Sequence, residues 1–314
     1  MSTNWRDKIE AAFTHRAALL EGDVTDAMRL FHGYGDGEPG IVIEKFGDLA
    51  VIDYKRPIQA ELETIKDVLL SLHPFTAVVG KGHQSLGGKL RNRLRLLHGT
   101  PEAARAVVHE HGLKYRVHGL VPHNAGLYLD ARQPRKWLLE NSRGRRVLNL
   151  FAFTGSLGLA ARMGSALDVY HVDRSKEVLP RIRDNYTLNG LELDNRDVVR
   201  GDLYRHLTKA VEKGHRFDGI ILDPPPKVYS GHRKQAIRGQ DFPHLTTLCG
   251  ALLNPGGWMM CFFHRFEMSL AEFEGQVETH AKRALEPIWR CTSGLDFPEP
   301  DPDRKLRVTV YRAS

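Results

Sequence analysis

From Val147 onward, short apolar runs rich in Val, Ile and Leu alternate with segments in which apolar residues return at helical spacing. The runs read as strands at 147–151, 168–172, 197–200, 218–222 and 257–263. The segments between them read as helices at 155–163, 175–188, 203–213, within 234–253 and at 269–284, with further apolar stretches near 286–291 and 306–311. Strands joined through helices must run parallel, and their crossovers are right-handed. The alternation therefore restricts this part of the chain to a Rossmann-like α/β architecture, and no repeat or low-complexity tract interrupts it.

Such sheets bind ligands at the carboxyl ends of their strands, so the residues that end each run carry the functional argument. The first run, Val147 to Phe151, passes through Ala152-Phe153-Thr154 to Gly155, where a backbone without a side chain meets the N–H groups that open a helix. The second run ends at Asp173, at the spacing that places a carboxylate on a ribose hydroxyl pair. The third ends at Arg200-Gly201-Asp202, an acid suited to an amino group of adenine. The fourth ends at Asp223-Pro224-Pro225-Pro226, where prolines remove backbone donors and fix φ, giving a rigid corner lined by carbonyls. A glycine after the first strand and an acid after the second also occur in α/β domains that bind no nucleoside, so these features alone leave that alternative open.

Ahead of this region the periodicity changes. Trp5, Ile9, Ala12, Phe13 and Ala17 predict a helix over 5–20, and 41–46 and 49–54 a hairpin about Gly47-Asp48. A helix over 58–72 and a strand over 76–79 complete a small α+β domain. The expected division is a helix at 1–25, the small domain at 26–142 and the α/β domain at 143–314, with Ser142-Arg143-Gly144 as the junction. Between 81 and 95 the chain carries Lys81, Lys89, Arg91, Arg93 and Arg95 with no acid; this glycine-containing stretch is expected to be flexible, either moulding to a phosphate backbone or standing as a solvated hairpin tip. Lys227 to Arg238 is a second basic stretch, following the proline corner directly.

Composition sets the outer bounds. With 314 residues the chain is long enough for two cores, and 41% hydrophobic with 26% charged residues is ordinary for a globular protein. No apolar run is long enough to span a bilayer and Met1 to Asp7 lack a signal-peptide core, so a cytoplasmic protein is expected, with no membrane partner. Cys249, Cys261 and Cys291 form no CxxC pair, and His109, His111, His118 and His123 lack partners at zinc-site spacing, so no metal site is expected. The formal charge of +7 permits a polyanionic partner without requiring one.

Taken in order, Asp36-Gly37-Glu38-Pro39-Gly40, Glu110-His111-Gly112, His123 to Arg132, Asn149-Leu150-Phe151 with Thr154-Gly155, Asp223-Pro224-Pro225, Arg238-Gly239 and Asn254-Pro255-Gly256-Gly257 resemble the class I S-adenosylmethionine-dependent methyltransferases. Within that class they are most similar to the bacterial enzymes that methylate carbon-5 of a cytosine in 23S ribosomal RNA. The resemblance implies a mostly parallel seven-stranded sheet, with the cofactor S-adenosylmethionine held by Asn149, Phe151, Thr154 and Gly155, its ribose on Asp173 beside Arg174 and its adenine near Asp202. Its methionine end is implied to lie near Tyr128, Asp130, Arg132 and Asp223; an N-cap and a surface ion pair are the alternative for Asp130 and Arg132. Asp223 and Pro224 are the implied catalytic residues, and Lys227, Tyr229, Arg233, Lys234, Arg238 and His264 the implied contacts to RNA.

The family's RNA-binding PUA domain would precede Trp5 and has no counterpart here, and His264 stands where the family has the cysteine of a Ser-Cys-Ser segment. Cys261, three residues earlier in an apolar strand, is expected to be a buried structural residue. RNA, with ribosomal RNA foremost, is the expected substrate. A small molecule or protein side chain, or a binding-only relative without catalysis, are the alternatives, and the oligomeric state is left open.

Overall fold

The computed structural model describes residues 4–20, 24–58, 60–86, 89–225, 242–264, 268–301 and 305–314, the side chains of 84–86 and 89–92 excepted. Two units emerge: Met1–Arg132 with Gly294–Pro300, and Gln133–Ser293 with Asp301–Ser314.

In the first unit α1 (Trp5–His15) is capped by Asn4, whose side chain accepts from the Asp7 N–H, and it buries Trp5, Ile9 and Ala12. The helix predicted over 5–20 stops at Arg16, whose own N–H turns back to Phe13 O, and only a single turn, α2 (Ala17–Leu20), follows. Arg16 is fully buried and spends its guanidinium on Asp36 (2.6 Å), Ala12 O (2.8 Å) and Arg29 O (2.7 Å). The Asp36-Gly37 turn read from sequence is therefore also an anchor for a buried charge.

Strands β1 (Ala27–His32), β2 (Ile41–Phe46) and β3 (Leu49–Tyr54) are followed by α3 (Leu62–Leu72), β4 (Ala77–Leu86) and β5 (Lys89–His98). They form a five-stranded sheet in the order β1-β2-β3-β4-β5. The faces of α1 and α3 share one core with it, through Ile9, Leu30, Ile43, Ile65 and Leu69. Residues 5–15 are thus part of this unit and not a separate amino-terminal helix. A two-stranded sheet, β6 (Arg105–Glu110) with β7 (Leu113–His118), completes the unit's strands among the described residues.

Of the two expectations for the basic stretch, the described residues form the hairpin: β4 and β5 run antiparallel, with Gly80 opposite Arg95 and Gly82 opposite Arg93, and the ladder fixes the backbone at these positions.

The second unit begins at Gln133, the second residue of α4 (Arg132–Asn141), so the division falls at the start of this helix and not after residue 142. The reason is packing: Trp137 stands edge-on to Trp258 at 5.2 Å and lies 6.1 Å from Trp289. Then follow β8 (Arg146–Leu150), α5 (Ser156–Met163), β9 (Asp168–Asp173), α6 (Val178–Leu188), β10 (Val198–Arg200), α7 (Leu203–Glu212) and β11 (Phe217–Leu222). The chain ends with α8 (Phe242–Leu252), β12 (Leu253–Phe263), α9 (Leu270–His280), β13 (Leu285–Thr292) and β14 (Arg307–Ala313).

The seven strands order as β10-β9-β8-β11-β12-β14-β13, parallel except for the pairs that β14 makes with β12 and β13. Asp218 aligns the parallel strands at their starts, accepting from Arg146 N–H (2.9 Å) and from the Asn254 side chain (2.7 Å). One face of the sheet packs Leu148, Ile220, Cys261 and Phe263 against Leu245, Cys249, Phe273 and Val277 of α8 and α9. Strand order reverses between β8 and β11, the position at which open α/β sheets leave a crevice at their carboxyl ends.

The expected continuous span 143–314 is interrupted, because Gly294–Pro300 belongs to the first unit. There Asp296, fully buried, receives both terminal nitrogens of Arg132 (3.0 and 3.1 Å) and the Arg29 N–H (3.0 Å). Glu110 stands 3.4 Å from the same guanidinium. Apolar periodicity carries no signal for such a pair, which joins residues 164 positions apart. Asp296→Ala leaves Arg132 short of its bidentate partner in a buried setting and is expected to lower unfolding free energy by about 3 kcal/mol or more, read by urea denaturation. A change within a few tenths of a kcal/mol would refute that role.

Candidate active site

The loop from β8 to α5 bends within five residues, and three of them have left-handed backbone: Phe151 (φ 56°), Phe153 (φ 51°) and Gly155 (φ 77°). For the two phenylalanines this is a costly conformation, of order 1–3 kcal/mol each, held only when the surroundings over-determine it. Those surroundings are visible. The Phe153 N–H donates to Asp173 Oδ2 at 2.9 Å, the Ala152 N–H to Val172 O at 3.2 Å, and the Asn185 side-chain amide to Thr154 O at 2.9 Å. Gly155 has no alternative, since a Cβ there would stand 2.9 Å from Ile182.

Beneath the loop lies a buried polar chain. His171, in β9, is fully buried, with Asn149 Nδ2 3.1 Å from its Nδ1 and the Tyr186 hydroxyl 2.9 Å from its Nε2. Burial pushes the imidazole pKa from 6.5 down to about 3, so it is neutral, and pushes the Tyr186 phenol up. The ring also sets the approach of α5: a Cβ on Gly158 would meet His171 Cε1 at 2.4 Å. Asn149, implied to hold the cofactor as part of the 149–155 loop, is 1% exposed and has its side-chain Nδ2 on His171. It supports the loop from below. His171, Asn185 and Tyr186 were not singled out from the sequence, where the only hint was a histidine inside an otherwise apolar strand.

Asp173, at the end of β9, is held at both oxygens, Oδ2 by Phe153 N–H and Oδ1 by Ser175 N–H at 2.8 Å. Each carboxylate oxygen has a second acceptor site, so a ligand hydroxyl can still be received. The parallel register sets Arg200 beside Asp173, and Asp202 then caps α7 through Oδ1 to the Arg205 N–H (2.9 Å). Thr154 is buried, and Arg174 and Asp202 are exposed. Across the switch point, β11 leads into Asp223, Pro224 and Pro225, and Asp223 Oδ1 lies 2.6 Å from His264 Nε2, which follows β12. Phe151, Phe153, Asp173, Asp223 and His264 thus all stand at the carboxyl ends of adjacent strands of one sheet.

Three other expected positions, Tyr128, Asp130 and Arg132, belong to the first unit. The Arg132 guanidinium is committed to Asp296, Glu110 and Ala27 O (2.9 Å), so the surface-pair and cofactor readings both give way to a buried ion cluster. Tyr128, exposed, and Asp130, half-buried, sit in the turn just before α4. Pro226, Lys227, Tyr229, Arg233, Lys234 and Arg238 lie outside the described residues. Among the described residues no group of three or more His, Cys, Asp or Glu could hold a metal ion, and no helix is long and apolar enough to cross a membrane.

With this geometry in hand, comparison with known proteins is decisive. The profile of the S-adenosylmethionine-dependent methyltransferase family matches residues 28–312. The chain belongs to that family. A Klebsiella pneumoniae protein named ribosomal RNA large subunit methyltransferase I is 34% identical over 262 residues, covering 81% of this chain and 64% of its own length. Its namesake from Erwinia tasmaniensis is 32% identical over 298 residues, covering 93% of this chain and 75% of its own. The chain therefore spans less than two thirds of the first of these relatives. Among solved structures, a methyltransferase described from Streptococcus mutans superposes with a TM-score of 0.86 at 23% identity, over 99% of this chain and 82% of that one. A family member from Agrobacterium tumefaciens gives a TM-score of 0.63 at 19% identity, over 92% and 90%. At those identities the likeness establishes the fold.

In the folded methyltransferase His171 is neutral, whereas in the unfolded chain it titrates near 6.5, so the unfolded state takes up a proton first as pH falls. Stability is fully present above pH 6.5 and is expected to decline on acidification, by about 1.4 kcal/mol per pH unit from this residue between pH 6 and 4.5. Urea midpoints measured across that range check it, and the decline should be smaller in His171→Gln.

Proposed function

We propose that this chain is a cytoplasmic enzyme that transfers a methyl group from S-adenosylmethionine to a base of RNA, with large-subunit ribosomal RNA as its substrate. The observation that carries the proposal is the carboxylate of Asp173, fixed by two backbone N–H groups beside the left-handed loop 151–155 at the switch point of the sheet. The names of the relatives support ribosomal RNA as the acceptor.

The residues fit this cofactor. Asp173 would receive the ribose hydroxyls, Asp202 the adenine amino group, and the backbone of 151–155 would line the nucleoside, with Gly155 adding no side chain. When bound, the cofactor supplies a methyl group made electrophilic by a positively charged sulfur. The chain's own contribution is positioning. Pro224 and Pro225 give no N–H to compete for the acceptor, and Asp223 offers a fixed carboxylate at the same corner. Lys227, Arg233, Lys234 and Arg238 would hold phosphates and Tyr229 would stack on a base.

Asp173→Asn is expected to weaken S-adenosylmethionine binding roughly 10- to 100-fold, since a hydrogen bond to a charged group contributes about 1.5–3 kcal/mol. Isothermal titration calorimetry measures it, and equal affinity in both proteins would remove Asp173 from the site. The wider proposal is tested by incubating the purified chain with labelled methyl donor and ribosomal RNA from cells that lack the gene. Label confined to protein or small molecules would defeat it.

A further inference from the structure

Two observations at the ends of β11 and β12 bear on which atom of the base is methylated, an inference that rests on the proposed methyl transfer to RNA. The first is the pair formed by Asp223 and His264. The strands that deliver them are adjacent and parallel, with Leu222 beside Cys261, and the 2.6 Å contact joins Asp223 Oδ1 to His264 Nε2. Both side chains are partly exposed, at 22% and 27%, so neither is sealed in the core. Phe262 stacks against the His264 ring at 6.2 Å.

The second is where the thiols are. The chain has three cysteines, Cys249 and Cys261 fully buried and Cys291 half-buried. Cys261 is in β12, fully buried in the core that also holds Met259 and Phe263, and burial pushes its thiol well up. Cys249, in α8, is equally buried and pushed up to about 12. Cys291 is in β13, the edge strand two places beyond β12, and is also raised to about 12.

A ring carbon of a pyrimidine becomes nucleophilic only after a strong nucleophile, such as a thiolate, has added to the neighbouring carbon. No thiol is present at the Asp223–His264 corner. A nitrogen of the base carries its own lone pair, and methylating it asks for alignment and for a group that removes a proton.

We infer that the site methylates a nitrogen of the base and that the His264–Asp223 pair takes the proton this nitrogen releases. The nitrogen lone pair forms the N–C bond while the bond from methyl carbon to sulfur breaks, and that bond's electrons remain on sulfur as a neutral thioether. The nitrogen, briefly cationic, returns to neutrality by passing its proton to the pair. Asp223 holds the imidazole by its Nε2 edge and stabilises the charge the ring gains.

The test takes the purified chain, ribosomal RNA from cells lacking the gene, and nucleoside mass spectrometry of the product. An N-methylated base is expected. A 5-methylpyrimidine overturns the inference and leaves methyl transfer to RNA standing, whereas no methylated nucleoside overturns both. RNA carrying 5-fluoropyrimidines supplies a check independent of folding: a covalent thiolate route leaves a stable protein–RNA adduct, and none is expected.

His264→Asn should lower kcat roughly 100-fold or more with little change in KM for RNA or in cofactor affinity, the scale of a lost general base. An unchanged kcat, or a loss confined to KM, refutes the proton-accepting role. Asp223→Asn combined with His264→Asn should lower kcat little beyond His264→Asn alone, as for two groups that act as one unit. Losses that multiply show that the two groups do not act together.

Discussion

A neutral histidine inside the sheet carries the weight of the site. His171 joins Asn149 of β8 to Tyr186 of α6, and its ring sets how closely Gly158 can bring α5 to the strands. Left-handed Phe151 and Phe153 are tolerable only because the elements around them are fixed in this way. A buried imidazole costs little while it is neutral and hydrogen-bonded, and burial itself keeps it neutral. The loop above inherits its shape from this support, and Asp173 in turn holds the loop through Phe153 N–H. Support, strained loop and carboxylate are carried by the same neighbouring elements, β8, β9 and α6.

The first unit solves a different problem with charges. Arg16 and Arg132 are both buried, and each finds a carboxylate with two oxygens to offer, Asp36 and Asp296. Bidentate pairing is the geometry that best compensates a guanidinium removed from water. Asp296 arrives from the segment between β13 and β14, so the unit is completed only after most of the sheet strands have been made. Its integrity depends on a residue that no local pattern connects to it.

At the strand ends the chemistry is written in what each strand leaves behind. β9 leaves a carboxylate held by two N–H groups, and β11 leaves a carboxylate held against an imidazole from β12. The same residue type therefore stands in two settings: one carboxylate is fixed by backbone N–H groups, the other lies against an imidazole. Pro224 and Pro225, the first two of the three prolines after Asp223, bring no N–H to the second environment.

The alternating strands and helices from β8 to α9 were legible from residues alone, because apolar periodicity reports which face of each segment is buried and the parallel arrangement follows from it, whereas β13 and β14 read only as apolar stretches and pair antiparallel. Asp173, Asp202 and Asp223 could be placed at strand ends for the same reason. Periodicity could not report that Asn149 points inward to His171, that Arg132 is spent on Asp296, or how β4 and β5 register in their ladder. Nor could it place Gly294–Pro300 in the first unit. Those outcomes depend on which polar groups meet after distant segments have packed. Sequence by itself determined the sheet, its strand ends and the acids on them, since these follow from the local alternation of apolar and polar residues. Tertiary structure alone decided which polar groups stay accessible at the strand ends and which are consumed inside, because a buried donor or charge must find its partner wherever the fold brings one within reach.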